Sequence, residues 1–359
     1  MPRPVTTQSL DPILRGVSRS VFLSFRVAPA SIRRQLGLGY LFCRAADTIA
    51  DTRLLCRDNR LESLRRYRAQ FEVSSPRTED IERLSREVGA AQAIPQEREL
   101  LVRLRECFDE LDRLEEADRR LMRRLVATLT LGMEMDLERF PPEESGRVAA
   151  LETEEDLDLY TYYVAGCVGE FWTELQVSHI RALERWDLAA MRPRGIEFGK
   201  GLQLTNILRD VDRDLSLGRS YFPRPRLETA GLRLEDLRAG LCRQGLVPIL
   251  LHYLAATLKK YRTGWEYTLA IPRRVPRLRL ACALPLFIGL ETLALLASSP
   301  DPYAPGTLHK IPRSSVRRLA VRAMLSVFSD VALNRMYSMR EARVLAALRR
   351  HGAAHPDAV

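Results

Sequence analysis

Apolar residues along this chain recur three and four positions apart far more often than they alternate with polar ones, and strand-type alternation is scarce. The pattern predicts an all-α protein. Residues 57–73 and 79–91 read as amphipathic helices separated by a Ser-Ser-Pro break at 74–76. Pro95 opens a further helical run, and 97–139 is rich in leucine and charge. Pro141 and Pro142 end it. The acidic start of ETEEDLDLYTYYVAGCVGEFWTEL suits a helix N-terminus. Residues 229–271 predict one or two helices, followed by the link IPRRVPRLR. Leu280 to Ala297 is the most apolar stretch, but it holds Pro285, Gly289 and Glu291. A membrane span needs about 20 apolar residues, and a charge at its centre costs a few kcal/mol, so this stretch is expected as a buried core helix. HKIPRSSVRR starts the last helix, and the tail HGAAHPDAV is expected to be disordered. The ordered core should run from about residue 8 to about residue 345, and residues 1–359 suit one large domain or two ordinary ones.

One polar pattern interrupts this background. In QLTNILRDVDRDLSLGRSYFP, residues 203–223, Asn206, Asp210 and Asp214 are spaced by four. Each step of four advances about 40° around a helix, so these side chains share one face. Asp212 lies about 200° from Asp210 and points elsewhere. Leu204, Ile207, Leu208 and Val211 supply an apolar flank that draws the helix towards the interior. Three oxygen-bearing groups with Arg209 beside them suit a hard cation that carries a phosphate ligand. The helix should stop near Leu217–Gly218, leaving Arg219 in the exit loop, where a guanidinium can face a phosphate.

Taken alone, an i, i+4 Asp pair is most often a solvated helix face. Here the pattern occurs twice. DTIAD places Asp47 and Asp51 at the same spacing, with Arg44 one turn before Asp47 and Tyr40 one turn before Arg44. Leu38, Leu41, Phe42, Ala45 and Ile49 make the surroundings apolar. Paired carboxylates on largely apolar helices call for divalent cations, and a diphosphate would complete the coordination. In YYVAGCVG, Gly166 and Gly169 permit close helix packing or a ligand near the backbone. Tyr163 by itself reads as a core tyrosine, and Glu170, seven residues on, could share its face.

These motifs, with SRSVFLSF at residues 18–25 and in this order, resemble the squalene/phytoene synthase family of head-to-head prenyl diphosphate condensing enzymes. The likeness covers the chain from near its start to about residue 225 and continues more weakly through IPRRVPRLRLACALPLFIGLETL. It implies a single-domain isoprenoid-synthase helical bundle around a central cavity. It implies that Asp47, Asp51, Asn206, Asp210 and Asp214 hold Mg²⁺. Ser18, Arg19, Ser20, Tyr40, Arg44, Gln203, Asn206, Arg209 and Arg219 would bind diphosphate, and Tyr163 would serve the first half-reaction. Arg44, Asp47, Asp51, Asp210 and Asp214 join Tyr163 as the catalytic set. Eukaryotic squalene synthases usually carry one more acid in the first motif, where this chain has Ala50. They also end in a membrane anchor, which is not expected here. NADPH would supply reducing power for squalene. The chain has no G-x-G-x-x-G fingerprint, and the family does not use a Rossmann fold.

Composition narrows the classes. The net charge of +10 comes from 56 basic residues, of which only Lys200, Lys259, Lys260 and Lys310 are lysine. Arg and Glu alternate closely in 57–69 and 97–124, as on salt-bridged solvated helices, and no zinc-finger or RNA-binding strand motif is present. Nucleic acid is therefore not expected as a partner. The six cysteines form no CxxC and read as free thiols in a reducing compartment. The five histidines form no HExxH or paired ligand motif. No signal peptide opens the chain. The location expected is the cytoplasm, with a peripheral contact to the inner face of a membrane through Arg273, Arg274, Arg277 and Arg279 as an option. Three readings stay open. One is a squalene synthase using two farnesyl diphosphates, Mg²⁺ and NADPH. The second is a phytoene or presqualene diphosphate synthase that needs no NADPH. The third is a non-catalytic helical protein that binds metal or partners. Oligomeric state is not legible.

Overall fold

The computed structural model describes residues 10–17, 28–73, 76–304, 306, 307 and 309–354. Ser18, Arg19 and Ser20 lie outside these described residues. The protein is all-α, as the periodicity predicts. Among the described residues the only strands are β1 (Ala149–Ala150) and β2 (Arg219–Ser220), a two-residue parallel pair. Backbone contacts divide the chain into two compact units, one made of Met1–Glu138 and Phe171–Glu184 and the other of Arg139–Glu170 and Arg185–Val359.

The first unit contains α1 (Asp11–Val17), α2 (Ala30–Asp51), α3 (Arg57–Glu72), α4 (Thr78–Ala91), α5 (Pro95–Val102), α6 (Leu104–Asp112) and nearly all of α7 (Glu116–Arg139). It is built around α2. Ile32, Leu41, Phe42, Ala45, Ala46 and Ile49 are wholly buried along that helix. Phe42 meets Phe71 edge-on at 5.0 Å and Phe108 at 5.1 Å, and the Tyr67 hydroxyl donates to the Phe42 carbonyl at 2.9 Å. Such ring pairs add specificity to the area they bury. Buried polar groups tie the far end of α2. Gln35 donates to Asp118 at 2.8 Å, and His179 lies 2.7 Å from the other oxygen of that carboxylate. The carboxylate is thereby satisfied within the core, as burial requires.

The second unit begins with α8 (Glu154–Thr161), which has a reciprocal cap between Thr153 and Asp156 at its acidic start. A π-helical turn, Tyr162–Gly166, follows and leads into α9 (Cys167–His179), which belongs to the first unit from Phe171 onward. The sequence pattern does not predict this turn. The long helix α10 (Leu188–Arg209) is followed by α11 (Val211–Ser216), α12 (Arg224–Thr229), α13 (Leu234–Arg238), α14 (Val247–Ala270), α15 (Pro276–Ser298), α16 (Arg313–Ser326) and α17 (Asp330–Ala354). HKIPRSSVRR thus leads into the penultimate helix rather than the last. The chain breaks again because Ser329 caps α17, accepting from the Ala332 amide at 3.2 Å. The last helix runs past residue 345 to Ala354. The apolar stretch forms α15, which is long enough to cross a membrane by length and composition, with 67% of its apolar window buried within the fold. Its Glu291 is paired with Arg340 at 3.1 Å and Arg343 at 2.6 Å on α17.

Candidate active site

In the first unit, the last turns of α2 carry the first acidic motif. Arg44 reaches Glu97 of α5 in a short ion pair and stands 3.7 Å from Asp47. Glu97 is buried in the first turn of its helix, behind Pro95, where the free amides favour an anion. The Asp47 side chain is 46% accessible to water. Even so, the protein packed around its carboxyl pushes its pKa up to about 7 by desolvation; Arg44 opposes the rise, and Asp51 and Glu97 add to it. Asp51 is exposed at the helix end. The Tyr40 hydroxyl donates to the Val17 carbonyl at 3.3 Å, which ties α2 to the end of α1. One side of α2 therefore presents Tyr40, Arg44, Asp47 and Asp51 in successive turns.

In the second unit, the second motif is spread over a break. α10 ends at Arg209, and Asp210 has φ −102° and ψ 14° before α11 begins. The Asp210 amide still bonds to Asn206 and the Asp214 amide to Asp210, each at 2.9 Å, so the four-residue register survives. The break changes the side chains: Arg209 grips Asp210 with two hydrogen bonds of 2.8 and 2.5 Å, which neighbours in an unbroken helix would not form. Asn206 is exposed and donates to Gln203 at 3.3 Å. Asp212 points away, as its helical angle requires, to the buried Arg243 and to the Gly306 amide at 3.1 Å. Gly218 ends the segment with φ +81°, and a Cβ there would meet the Arg147 carbonyl at 2.5 Å. Arg219 follows in β2, pairs with Glu143 at 3.2 Å and lines a small cavity with Asp214.

The π-helical turn holds Tyr163 half-buried, its ring 6.0 Å from that of Tyr162. Two glycines let this turn and the start of α9 lie directly on α10. A Cβ on Gly169 would stand 1.9 Å from the Gly195 carbonyl oxygen, and one on Gly199 would stand 2.2 Å from that of Ala165. Backbone touches backbone, which no larger residue allows.

A family model described as squalene/phytoene synthase matches residues 14–322. The chain belongs to the squalene/phytoene synthase family. Among curated relatives, a phytoene synthase of Thermus thermophilus is 36% identical over 114 residues, 32% of this chain and 36% of the relative. A bifunctional lycopene cyclase/phytoene synthase of Colletotrichum graminicola is 29% identical, covering 68% of this chain and 39% of the relative. The squalene synthase of Saccharomyces cerevisiae is 25% identical, covering 79% and 60%. The chain thus spans less than two thirds of the length of these relatives. The solved complex of TcSQS with the ligand E5700 superposes with a TM-score of 0.67 at 25% identity over 94% of this chain and 96% of that one. A dehydrosqualene synthase at 23% identity shares the fold, with a TM-score of 0.59 over 90% and 95%.

Within this squalene/phytoene synthase family member, two groups beside the site residues are not marked by sequence spacing. Glu97 is one. The other is Lys200, buried on α10, which pairs with Asp158 at 2.7 Å and lies 6.0 Å from the Tyr162 ring, while the Tyr162 hydroxyl donates to Glu170 at 3.0 Å. Glu170 therefore serves Tyr162. The rarity of lysine in the chain was the one available signal for Lys200. The basic link also departs from expectation. Arg279 is wholly buried and bound to Asp330, whereas Arg273, also bound to Asp330, stays exposed. Among the described residues no three His, Cys, Asp or Glu side chains gather as a metal cluster. The fit to a divalent cation lies in the donor chemistry. Each motif offers hard oxygen donors at four-residue spacing, and the crowded Asp47 carboxyl has a charge that a cation would relieve.

Proposed function

We propose that this chain is a prenyltransferase that joins two prenyl diphosphates head to head, with farnesyl diphosphate as substrate and squalene, formed through presqualene diphosphate, as product. The observation that carries the reading is the pair of Asp ladders, each with an arginine beside it, in a member of this family. Asp47 and Asp51 would hold Mg²⁺ for one diphosphate, and Asn206, Asp210 and Asp214 for the other. Bound Mg²⁺ would supply positive charge to the departing diphosphate. Arg209 grips Asp210 in the free protein and would be available to phosphate oxygen where Asp210 holds a cation instead. Arg44 sits between Glu97 and Asp47 and can face the other diphosphate with its orientation held by Glu97. Both guanidiniums would stabilise the charge that develops on the leaving group. Ser18, Arg19, Ser20, Gln203 and Arg219 would complete the phosphate contacts. Apolar walls must keep the allylic cation from water until the second double bond attacks. Proton loss then closes a cyclopropane, and the Tyr163 hydroxyl or the released diphosphate would assist the transfer.

No residue set here is assigned to NADPH, which enters only as the external reductant of the second half-reaction. The test is incubation with farnesyl diphosphate and Mg²⁺, with and without NADPH. Presqualene diphosphate should accumulate without it and squalene should form with it. The second reading, phytoene synthesis, is favoured by the 36% identity to the Thermus thermophilus phytoene synthase over its shorter match. In that case geranylgeranyl diphosphate is consumed and NADPH changes nothing. A product that is the same with and without NADPH removes the squalene reading.

A further inference from the structure

Among the described residues, nothing covers one apolar face of helix α16. Leu319, Ala323 and Val327 turn inward. On the opposite side Val321, Met324, Leu325 and Phe328 are 51, 52, 76 and 63% exposed, and Val331, in the first turn of α17, is 81% exposed. Five large apolar side chains within eleven residues are a surface patch of the kind that marks an interaction site. On the helix, Arg318 and Arg322 flank this stripe and Arg317 lies within it, while Arg313–Ser326 carries no acidic residue. Arg318 and Arg322 also line a cavity of ≈ 380 Å³ whose other charged residues are Glu291, Arg340 and Arg343, the rest of its wall being Ser315 and apolar side chains. Four arginines and one glutamate leave that cavity strongly positive. Arg340 is held over the Phe287 ring at 5.2 Å and donates to the Met336 carbonyl at 2.7 Å. Desolvation lowers its pKa, Glu291 opposes the fall, and the like charges of Arg322 and Arg343 add to it. An anion in the cavity would relieve that crowding.

We propose that the exposed face of α16 docks on an anionic lipid bilayer, its apolar side chains entering the acyl boundary and the arginine cavity beside them receiving a headgroup phosphate. The choice of occupant follows from charge complementarity. A second copy of this basic chain would set arginine against arginine, whereas an anionic leaflet pairs with the arginines and accepts the apolar stripe at once. The same chemistry in the cavity alone would suit free phosphate, which the test separates. The inference does not rest on the reaction proposed above, because its readout is binding.

The full chain is pelleted with vesicles of phosphatidylcholine, or of phosphatidylcholine with about one third phosphatidylglycerol. Wild type should partition onto the anionic vesicles and leave them as salt is raised. The exposed double variant Leu325→Ser/Phe328→Ser should bind about tenfold more weakly or worse. Arg318→Gln/Arg322→Gln should lose about tenfold at low salt and show a flatter salt dependence. Both variants should melt like wild type, since the four side chains are exposed. The proposal is overturned if either variant binds like wild type or if wild type ignores both vesicles. A concentration-dependent dimer abolished by Leu325→Ser/Phe328→Ser, without vesicle binding, would assign the face to a second copy. Inorganic phosphate that raises the melting temperature through Arg318 and Arg322, without vesicle binding, would make the cavity a soluble-anion site and overturn the docking.

Discussion

Replacing Gly169 or Gly199 with alanine tests whether backbone contact between the π-helical turn and α10 positions the chemistry. An ordinary Cβ contact begins near 3.4 Å, so the Gly169 methyl requires about 1.5 Å of separation from Gly195 and the Gly199 methyl about 1.2 Å from Ala165. Both obstacles are carbonyl oxygens, which cannot rotate away as a side chain would. Overpacking of this kind costs about 1–3 kcal/mol. At roughly 2.1 cal/mol/K per residue, the 359 residues give an unfolding entropy near 0.75 kcal/mol/K, so Tm should fall by only about 1–4 °C. Turnover is more sensitive. The displaced elements carry Tyr163 on one side and Asn206 with Asp210 on the other, and a misplacement of about 1 Å can cost about 100-fold. Product formation from farnesyl or geranylgeranyl diphosphate with Mg²⁺, measured beside a thermal melt, should show that loss with a near-native fold. Gly16→Ala serves as control. Its Cβ would meet only the flexible Gln96 side chain at 3.5 Å, so turnover should hold and Tm should stay level or rise. Wild-type turnover in Gly169→Ala, or a fall in Tm with turnover unchanged, would refute the argument.

Other outcomes follow from single carboxylates. Asp47→Asn and Asp210→Asn should each abolish turnover. Asp47→Asn should keep or raise Tm, because its folded-state pKa is raised and its charge is therefore unfavourable in the fold; near-wild-type activity in either variant defeats the two-motif model. Asp330→Asn strands the buried Arg279 and should cost on the order of 2–3 kcal/mol, the low side for a broken buried pair because Asp330 itself is part-exposed. The Asp330 pKa is lowered, first by hydrogen bonds from Arg273 and Arg279. Its contribution is thus complete above the unfolded carboxylate value near about 4 and is lost as pH falls through the folded value. Denaturant midpoints of wild type and Asp330→Asn should differ at neutral pH and converge in acid; a constant gap at every pH sinks the assignment.

Features set by local chemistry were legible in the sequence. The four-residue Asp spacing, the stop at Gly218 and the outward turn of Asp212 follow from helix geometry and from one residue without a Cβ. The break at Asp210 was not legible, because no proline or glycine marks it and the Arg209 clasp forms only once the helix has opened. Glu97 and Lys200 are not legible for a different reason. Each is a lone charge whose partner, Arg44 or Asp158, lies about 40 to 50 positions away in sequence. Arg279 looked like surface charge because its neighbours in sequence are arginines, yet the carboxylate that permits its burial arrives from Asp330. The π-helical turn depends on the close approach of α10, which is a tertiary event.

The break at Asp210 turns the second motif into a jointed arm. α10 is a stiff member whose glycines leave it no slack against its neighbours, so it can hardly shift to suit a ligand. α11 is a short lever anchored at its far end by Gly218 and β2. The pivot between them is Asp210, one of the proposed donors, and small torsions there would re-aim its carboxylate and that of Asp214 while Asn206 stays fixed. Adjustment to successive ligands of different shape would then be absorbed at one residue, leaving the frame around it undisturbed.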